Sequence, residues 1–231
     1  MSKFTKIVIV LLSLLFIEMI IIYFSFSHNV FASPNYNDKS PILLMVDVSS
    51  NILSVFQDGK VIKTYNIGGG KTSTPSPIGN WQIINKGTWT GGFGGRWMGL
   101  NVPWGTYGIH GTLRPNSIGW NSSHGCIRMN NKDVSELYDM VKIGTMVMIW
   151  GGPNGNFGNN FRRIKPGDIG SDVYEVQIIL KEKGYINGAA DGIYSEDMRN
   201  IIHKYENDNM LPINDIIDLK FYKELGVYLI D

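Results

Sequence analysis

A chain of 231 residues with 43% hydrophobic side chains is long and apolar enough for two globular cores. A formal net charge of only +1 argues against a nucleic-acid binder. One cysteine excludes an intrachain disulfide and leaves a single thiol whose chemistry must be explained.

The chain opens with Lys3 and Lys6, then an apolar run from Ile7 to Phe26 broken only by Glu18. At ~1.5 Å per helical residue the run spans roughly 30 Å, the thickness of a bilayer core. It exceeds the ~7–15 residues of a signal-peptide core. Residues 7–26 therefore read as a transmembrane helix with the lysines cytoplasmic and all that follows outside. The alternative is a signal peptide cleaved after Val30-Phe31-Ala32, which releases the protein to the cell wall. Residues 1–32 form this anchor or signal segment, and the polar residues 33–40 form a linker.

From residue 41 the pattern turns to strands. Ile42 to Val48 is an apolar, partly β-branched run. Leu53 to Gln57 alternates into Asp58-Gly59, a hairpin turn signal, and Val61 to Ile67 returns. Pro75 and Pro77 fix an extended loop ahead of a strand from Trp81 to Ile84. The Gly- and Trp-rich segment from Gly87 to Trp104 shows no period; its Trp89, Trp97 and Trp104 either fill the core or line a cleft. Tyr107 to His110 is a short strand.

The stretch HGTLRPNSIGWNSSHGCIR, His110 to Arg128, concentrates the chemistry. A thiol is a strong nucleophile only as thiolate, and an imidazole beside it can take the proton. His110 and His124 are both candidates for that imidazole. Arg128 offers a planar cationic fork for a carboxylate. Three other readings stand beside this one: a buried structural thiol at Cys126, a metal site of Cys126, His110 and His124, and a solvated ion pair at Arg128. Beyond the thiol, Val134, Leu137, Tyr138 and Val141 follow helical spacing, with Asn131 as cap and Gly144 as stop. Thr145 to Trp150 closes the unit as a strand, so the thiol is expected on a loop just ahead of a helix.

Residues 152–163 form a Gly/Asn-rich linker. Ser171 and Ser195 then cap two helices with apolar faces Val173, Val176, Ile179, Leu180 and Met198, Ile201, Ile202, Tyr205. A short third helix runs near Leu219 to Leu225.

Ser123-His124-Gly125-Cys126-Ile127-Arg128, preceded by His110-Gly111-Thr112 and by Thr74-Pro75-Ser76-Pro77-Ile78-Gly79, resembles the L,D-transpeptidase (YkuD-like) catalytic domain over roughly 41–151. The resemblance implies a peptidoglycan 3→3 cross-linking enzyme working through a Cys126 thioester. It implies His110 as base, the Gly111 carbonyl as its orienter, and backbone N–H groups around Gly125 and Cys126 as oxyanion hole. His124 supports the pocket, and Arg128, Ser123 and Tyr107 are the substrate-binding residues. No cofactor or metal is implied. The partners are peptidoglycan stem peptides and glycan, and the membrane through the N-terminal segment.

Gly167-Asp168-Ile169-Gly170, Val176-Gln177, Gly184-Tyr185 and Asp191-Gly192-Ile193-Tyr194 resemble the type 1 peptidoglycan-binding domain over about 164–226. Tyr205-Glu206 stands where that family often has Phe-Gln, and Pro212-Ile213-Asn214-Asp215 replaces its closing glycine-rich turn. A degenerate packing module is the other reading of this unit. The expected fold is thus α+β: a mainly-β catalytic domain over 41–151, a small three-helix domain over 164–231, and an N-terminal transmembrane helix. The rival functions are a thiol L,D-carboxypeptidase, a non-catalytic wall-binding protein and a zinc enzyme.

Overall fold

The computed structural model describes residues 40–89 and 91–228. Among them no helix is long and apolar enough to cross a membrane. The expected transmembrane helix over 7–26 lies outside the described residues. The transmembrane element, the membrane as partner and the membrane-anchored location are therefore corrected: no described element supplies a span.

Residues 41–150 build a closed eight-stranded barrel in the order β1-β2-β3-β7-β6-β5-β4-β8. β1 (Leu43–Asp47) and β2 (Ile52–Gln57) pair antiparallel, as do β2 and β3 (Lys60–Gly68). The β2–β3 turn places Asp58 at φ 54° and Gly59 at φ 70°, the double left-handed geometry that suits the twist of a tight hairpin. β4 (Gly79–Gly87) runs longer than the predicted 81–84 because it pairs with two partners, β5 (Trp97–Leu100) and β8 (Met146–Trp150). β8 also pairs parallel with β1, which closes the barrel and removes its free edges. β6 (Tyr107–Gly111) pairs parallel with β7 (Ile127–Met129).

Alternation along these strands turns Leu44, Val46, Leu53, Val55, Ile67, Ile83, Ile109, Ile127 and Met129 into one buried core. Helix α1 (Asn131–Met140) adds Val134 and Leu137 to it. Lys86 on β4 fixes the far end of α1. Its ammonium donates to the carbonyls of Tyr138 and Val141, both at 2.6 Å, and stands 4.0 Å from the Tyr138 ring centroid. These are carbonyls that a helix end leaves without intrahelical partners, so the cation is well placed.

The second core belongs to α2 (Ser171–Glu182), α3 (Glu196–Asp208) and α4 (Leu219–Leu225). Ser195 caps α3, its hydroxyl accepting from Met198 N at 3.3 Å, and Asp218 caps α4 by accepting from Lys220 N and Phe221 N. Ser171, expected as a cap, is instead the first residue of α2; Gly170 holds the cap position without a side-chain bond. The Asp191-Gly192 turn is pinned by the buried Gln177. The Gln177 Oε1 accepts from Asp191 N and Gly192 N, and its Nε2 donates to Asp191 Oδ1 and the Ile193 carbonyl. The Tyr205-Glu206 departure also has a local cause. Glu206 is buried and accepts from both Asn214 N and Asn214 Nδ2, so a carboxylate with two acceptors holds the Pro212–Asp215 turn.

Candidate active site

Strand pairing assembles the site. In the parallel β6–β7 pair His110 is level with Arg128, and Ile109 with Ile127. Side chains two apart on a strand share a face. Ile109, Ile127 and Met129 therefore point into the core, while His110, Arg128 and Cys126 take the opposite face, with Gly108 beside Cys126. Glycine at 108 makes room for the Trp97 ring. A Cβ there would lie 2.7 Å from the Trp97 ring. Cys126 stands on the loop ahead of α1 (Asn131–Met140), as expected, with the short strand β7 between them. Asn131 does not cap α1. The cap is Asn130, and the Asn131 Oδ1 accepts from Thr112 N at 2.8 Å, tying α1 to the chain leaving β6.

His110 is 6% exposed, its ring in a three-ring cluster with Phe93 (centroids 5.0 Å apart, edge-on) and Trp97 (5.7 Å, stacked at 27°). Its Nδ1 is 2.5 Å from the Gly111 carbonyl oxygen. A carbonyl can only accept, so the proton sits on Nδ1 and Nε2 keeps a free lone pair. Gly111 permits this contact because a Cβ there would meet the Asn131 Oδ1 at 2.5 Å and the Gly94 carbonyl at 2.8 Å. Burial, aided by Arg128, pushes the imidazole below its ordinary value, against the opposing Gly111 carbonyl. Burial pushes the Cys126 thiol up, against the Gly108 backbone and the Arg128 charge. Both shifts favour a neutral thiol beside a neutral imidazole at rest.

The loop before the thiol is held by Ser123, which is 1% exposed. Its hydroxyl donates to the Cys126 carbonyl at 2.6 Å and accepts from Gly125 N at 3.0 Å. The Gly125 N–H, expected in an oxyanion hole, is thus engaged within the loop. The Ser123 carbonyl accepts from Lys71 N and Thr74 Oγ1, so the Thr74-to-Gly79 passage braces this loop. Gly125 has φ 110°, and a Cβ there would meet the Tyr107 ring at 2.5 Å. Tyr107 lies against the loop at that point.

A cavity of about 570 Å³ opens over this face, lined among others by His110, Thr112, His124, Cys126 and Arg128. His124 is exposed at its rim. Among the described residues no carboxylate comes within ion-pair distance of Arg128, so its fork is open to the cavity. Nor does any group of three His, Cys, Asp or Glu side chains converge to hold a metal, which removes support from the metal reading. A second cavity of about 610 Å³ adjoins through the shared Leu113 and Arg114 and reaches Trp120, 70% exposed. Sequence reasoning missed Phe93 and Arg114, and read Asn131 only as a helix cap. Of the three tryptophans left open, Trp97 is buried, Trp89 is half exposed and stacked on it, and Trp104 packs on the barrel core.

A barrel carrying a His on one strand and a Cys at the entry to the parallel strand beside it, next to an open cation, defines a thiol-based class of site. The family model of the L,D-transpeptidase catalytic domain (YkuD) matches residues 41–149, and the model of a candidate peptidoglycan binding domain matches residues 169–225. The chain is 42% identical over 113 residues to the candidate L,D-transpeptidase YkuD of Bacillus licheniformis, covering 48% of this chain and 67% of that protein. It is 44% identical over 110 residues to its Bacillus subtilis counterpart, 47% of this chain and 66% of that one. To the candidate L,D-transpeptidase YqjB of Bacillus subtilis it is 35% identical over 123 residues, 46% and 69% respectively. The chain thus spans about two thirds of the length of these curated relatives. It belongs to the YkuD-like L,D-transpeptidase family, with a C-terminal helical unit of the peptidoglycan-binding type.

Proposed function

We propose that the protein is a peptidoglycan L,D-transpeptidase, with Cys126 as nucleophile and His110 as general base. The observation that carries this is the Nδ1–Gly111 hydrogen bond, which leaves the basic nitrogen of a buried imidazole free on the face that Cys126 shares. His110 takes the thiol proton as sulfur attacks the carbonyl of the third residue of a tetrapeptide stem. It returns that proton to the departing D-amino acid, leaving a thioester. The amine of a second stem then attacks, His110 takes its proton, and sulfur leaves as thiol with a 3→3 cross-link formed. Arg128 holds a substrate carboxylate, His124 supports the pocket at its rim, and Tyr107 and Ser123 serve substrate binding by keeping the loop in place. The catalytic unit spans 41–151 and the helical unit 164–231. The helical unit holds the enzyme on its polymer, which sets its work in the cell envelope.

Water in place of the amine would make the same thioester an L,D-carboxypeptidase intermediate. The exposed His124 at the rim of the cavity that Cys126 also lines favours keeping that second reading, since water can enter from that edge. Intact mass spectrometry with a disaccharide tetrapeptide tests the first step. A mass gain equal to the donor less its terminal residue, absent in Cys126→Ala, supports the thioester. No adduct and no released amino acid would leave either a wrong donor or a wall-binding protein without catalysis, and a carbapenem as acylating probe decides between them. An added amine acceptor then separates cross-linked from hydrolysed product.

A further inference from the structure

The Asp191-Gly192 turn, the sharpest element of the helical unit, packs against the barrel. A Cβ at Gly192 would lie 2.3 Å from the Trp104 ring, so the indole rests on the bare glycine backbone. Tyr174, on α2 of the same helical unit, packs on the barrel core, its ring centroid 5.4 Å from that of Trp104 and 5.4 Å from that of Trp81. Trp81 meets Trp104 edge-on at 5.3 Å and is itself anchored by a 2.8 Å bond from its indole N–H to the Pro77 carbonyl. On its other side Trp104 meets Tyr107 edge-on at 6.3 Å. Tyr107 is wedged between two glycines: Cβ atoms at Gly105 and Gly125 would approach its ring to 2.8 and 2.5 Å. Gly125 precedes Cys126.

We propose that Trp104 is a positioning residue that ties the docking of the helical unit to the geometry of the thiol: Gly192 and Tyr174 hold the indole, the indole holds Tyr107, and Tyr107 fixes Gly125 beside Cys126. This rests on the reading of Cys126 as nucleophile and deepens it. The bare glycines at 192, 105 and 125 bring the Trp104 and Tyr107 rings into direct contact with backbone, so a shift at one end of the relay reaches the next group. The Gly192 requirement is then met within the protein. The glycine is called for twice, by its φ of 71° and by the Trp104 ring that leaves no room for a side chain, whatever polymer the rest of the unit holds. The small separation needed between reacting atoms makes the arrangement matter for rate, since a misplacement of about 1 Å can cost on the order of 100-fold.

The single cysteine makes the test clean, because iodoacetamide reports Cys126 alone. Trp104→Ala, Trp104→Phe and Tyr174→Ala are prepared in the full chain. The alkylation rate is measured against pH, and the thioester rate against tetrapeptide donor concentration. Trp104→Ala and Tyr174→Ala are expected to lower the maximal acylation rate roughly 10- to 100-fold with half-saturating donor unchanged, and to displace the alkylation profile. Trp104→Phe, which keeps a ring on Gly192, should recover most of both. Folded Ala variants, by circular dichroism, with wild-type alkylation and acylation overturn the relay. Should Trp104→Ala fail to fold, Tyr174→Ala decides alone, because it removes only a partly buried ring. A wild-type protein that forms no thioester while Trp104→Ala still shifts the alkylation profile sinks the enzymatic reading and keeps the relay.

Discussion

His110 and Gly111 are neighbours in sequence, and the ring of the first closes back on the carbonyl of the second at 2.5 Å. This one bond selects the tautomer. Removing the imidazole takes away the buried acceptor on the strand face that Cys126 shares and leaves only His124 at the exposed rim of the cavity. His110→Ala is expected to slow acylation by about 10²- to 10⁴-fold, the usual span for a positioned base. Cys126→Ala should abolish it. His124→Ala, at the exposed rim, should lose much less. Single-turnover thioester formation followed by mass spectrometry checks all three, and equal losses at His110 and His124 would show that the division of roles is wrong.

Arg128 acts on both partners in the same direction of chemistry. Its charge lowers the imidazole and lowers the thiol. Arg128→Ala should therefore raise both, moving the acid limb of the rate profile upward and the alkylation profile toward higher pH. The half-saturating donor concentration should also rise, because an open fork for a carboxylate is lost. Arg128→Lys should restore the charge effects better than the binding. Steady-state kinetics across pH, paired with alkylation, read the two separately.

The wild-type pH behaviour follows from the same shifts. An imidazole held below its ordinary 6.5 stays neutral, and able to accept a proton, at pH values where a free histidine is mostly charged. Acylation should persist below pH 6.5 and fall only at the lower folded value. The stability linked to this neutral imidazole is whole above 6.5 and is lost as pH falls through that folded value. The thiol, pushed above 9.0, should alkylate slowly at neutral pH and speed up only beyond the ordinary thiol range. Urea titrations at several pH values and iodoacetamide kinetics measure the two effects.

Ser123 is worth a separate test. Its hydroxyl is buried and bonded twice to the loop that carries the thiol. Ser123→Ala strands the Gly125 N–H and the Cys126 carbonyl, so about 1–3 kcal/mol of stability should go. The acylation rate should fall with it. Urea denaturation and thioester kinetics on one preparation check the pair.

In the helical unit Glu206→Gln should destabilise by about 1–2 kcal/mol at neutral pH. Glutamine brings an NH₂ to face one of the two Asn214 donors that the carboxylate accepts. Urea unfolding followed in the full chain measures it, and an unchanged midpoint would refute the assignment of Glu206 as the holder of the Pro212–Asp215 turn.

Much of the barrel was legible because its long strands alternate cleanly and Asp58-Gly59 marks its hairpin. The thiol and its partner histidine stood out through rarity and through the glycines that follow each histidine. β7 was not legible, since Ile127-Arg128-Met129 is too short to show a period. Phe93 and Trp97 were unreadable as supports of the imidazole, because their position depends on β5 pairing with β6 across a segment without pattern. Asn131 looked like a cap because Asn suits one, yet its carbonyl oxygen went to Thr112. The apposition of Gly192 and Trp104 joins two units that each fold on their own core, and no local pattern announces such a meeting.

Parallel strands cannot be joined by a tight turn. Because β6 and β7 run side by side in the same sense, the chain must leave the sheet at Gly111 and return at Ile127. That obligatory excursion supplies most of the lining of both cavities, while the imidazole and the thiol stay at its two ends on the barrel. Selection can thus rewrite what the cavities recognise by editing one contiguous segment, and leave the spacing of imidazole and thiol unchanged.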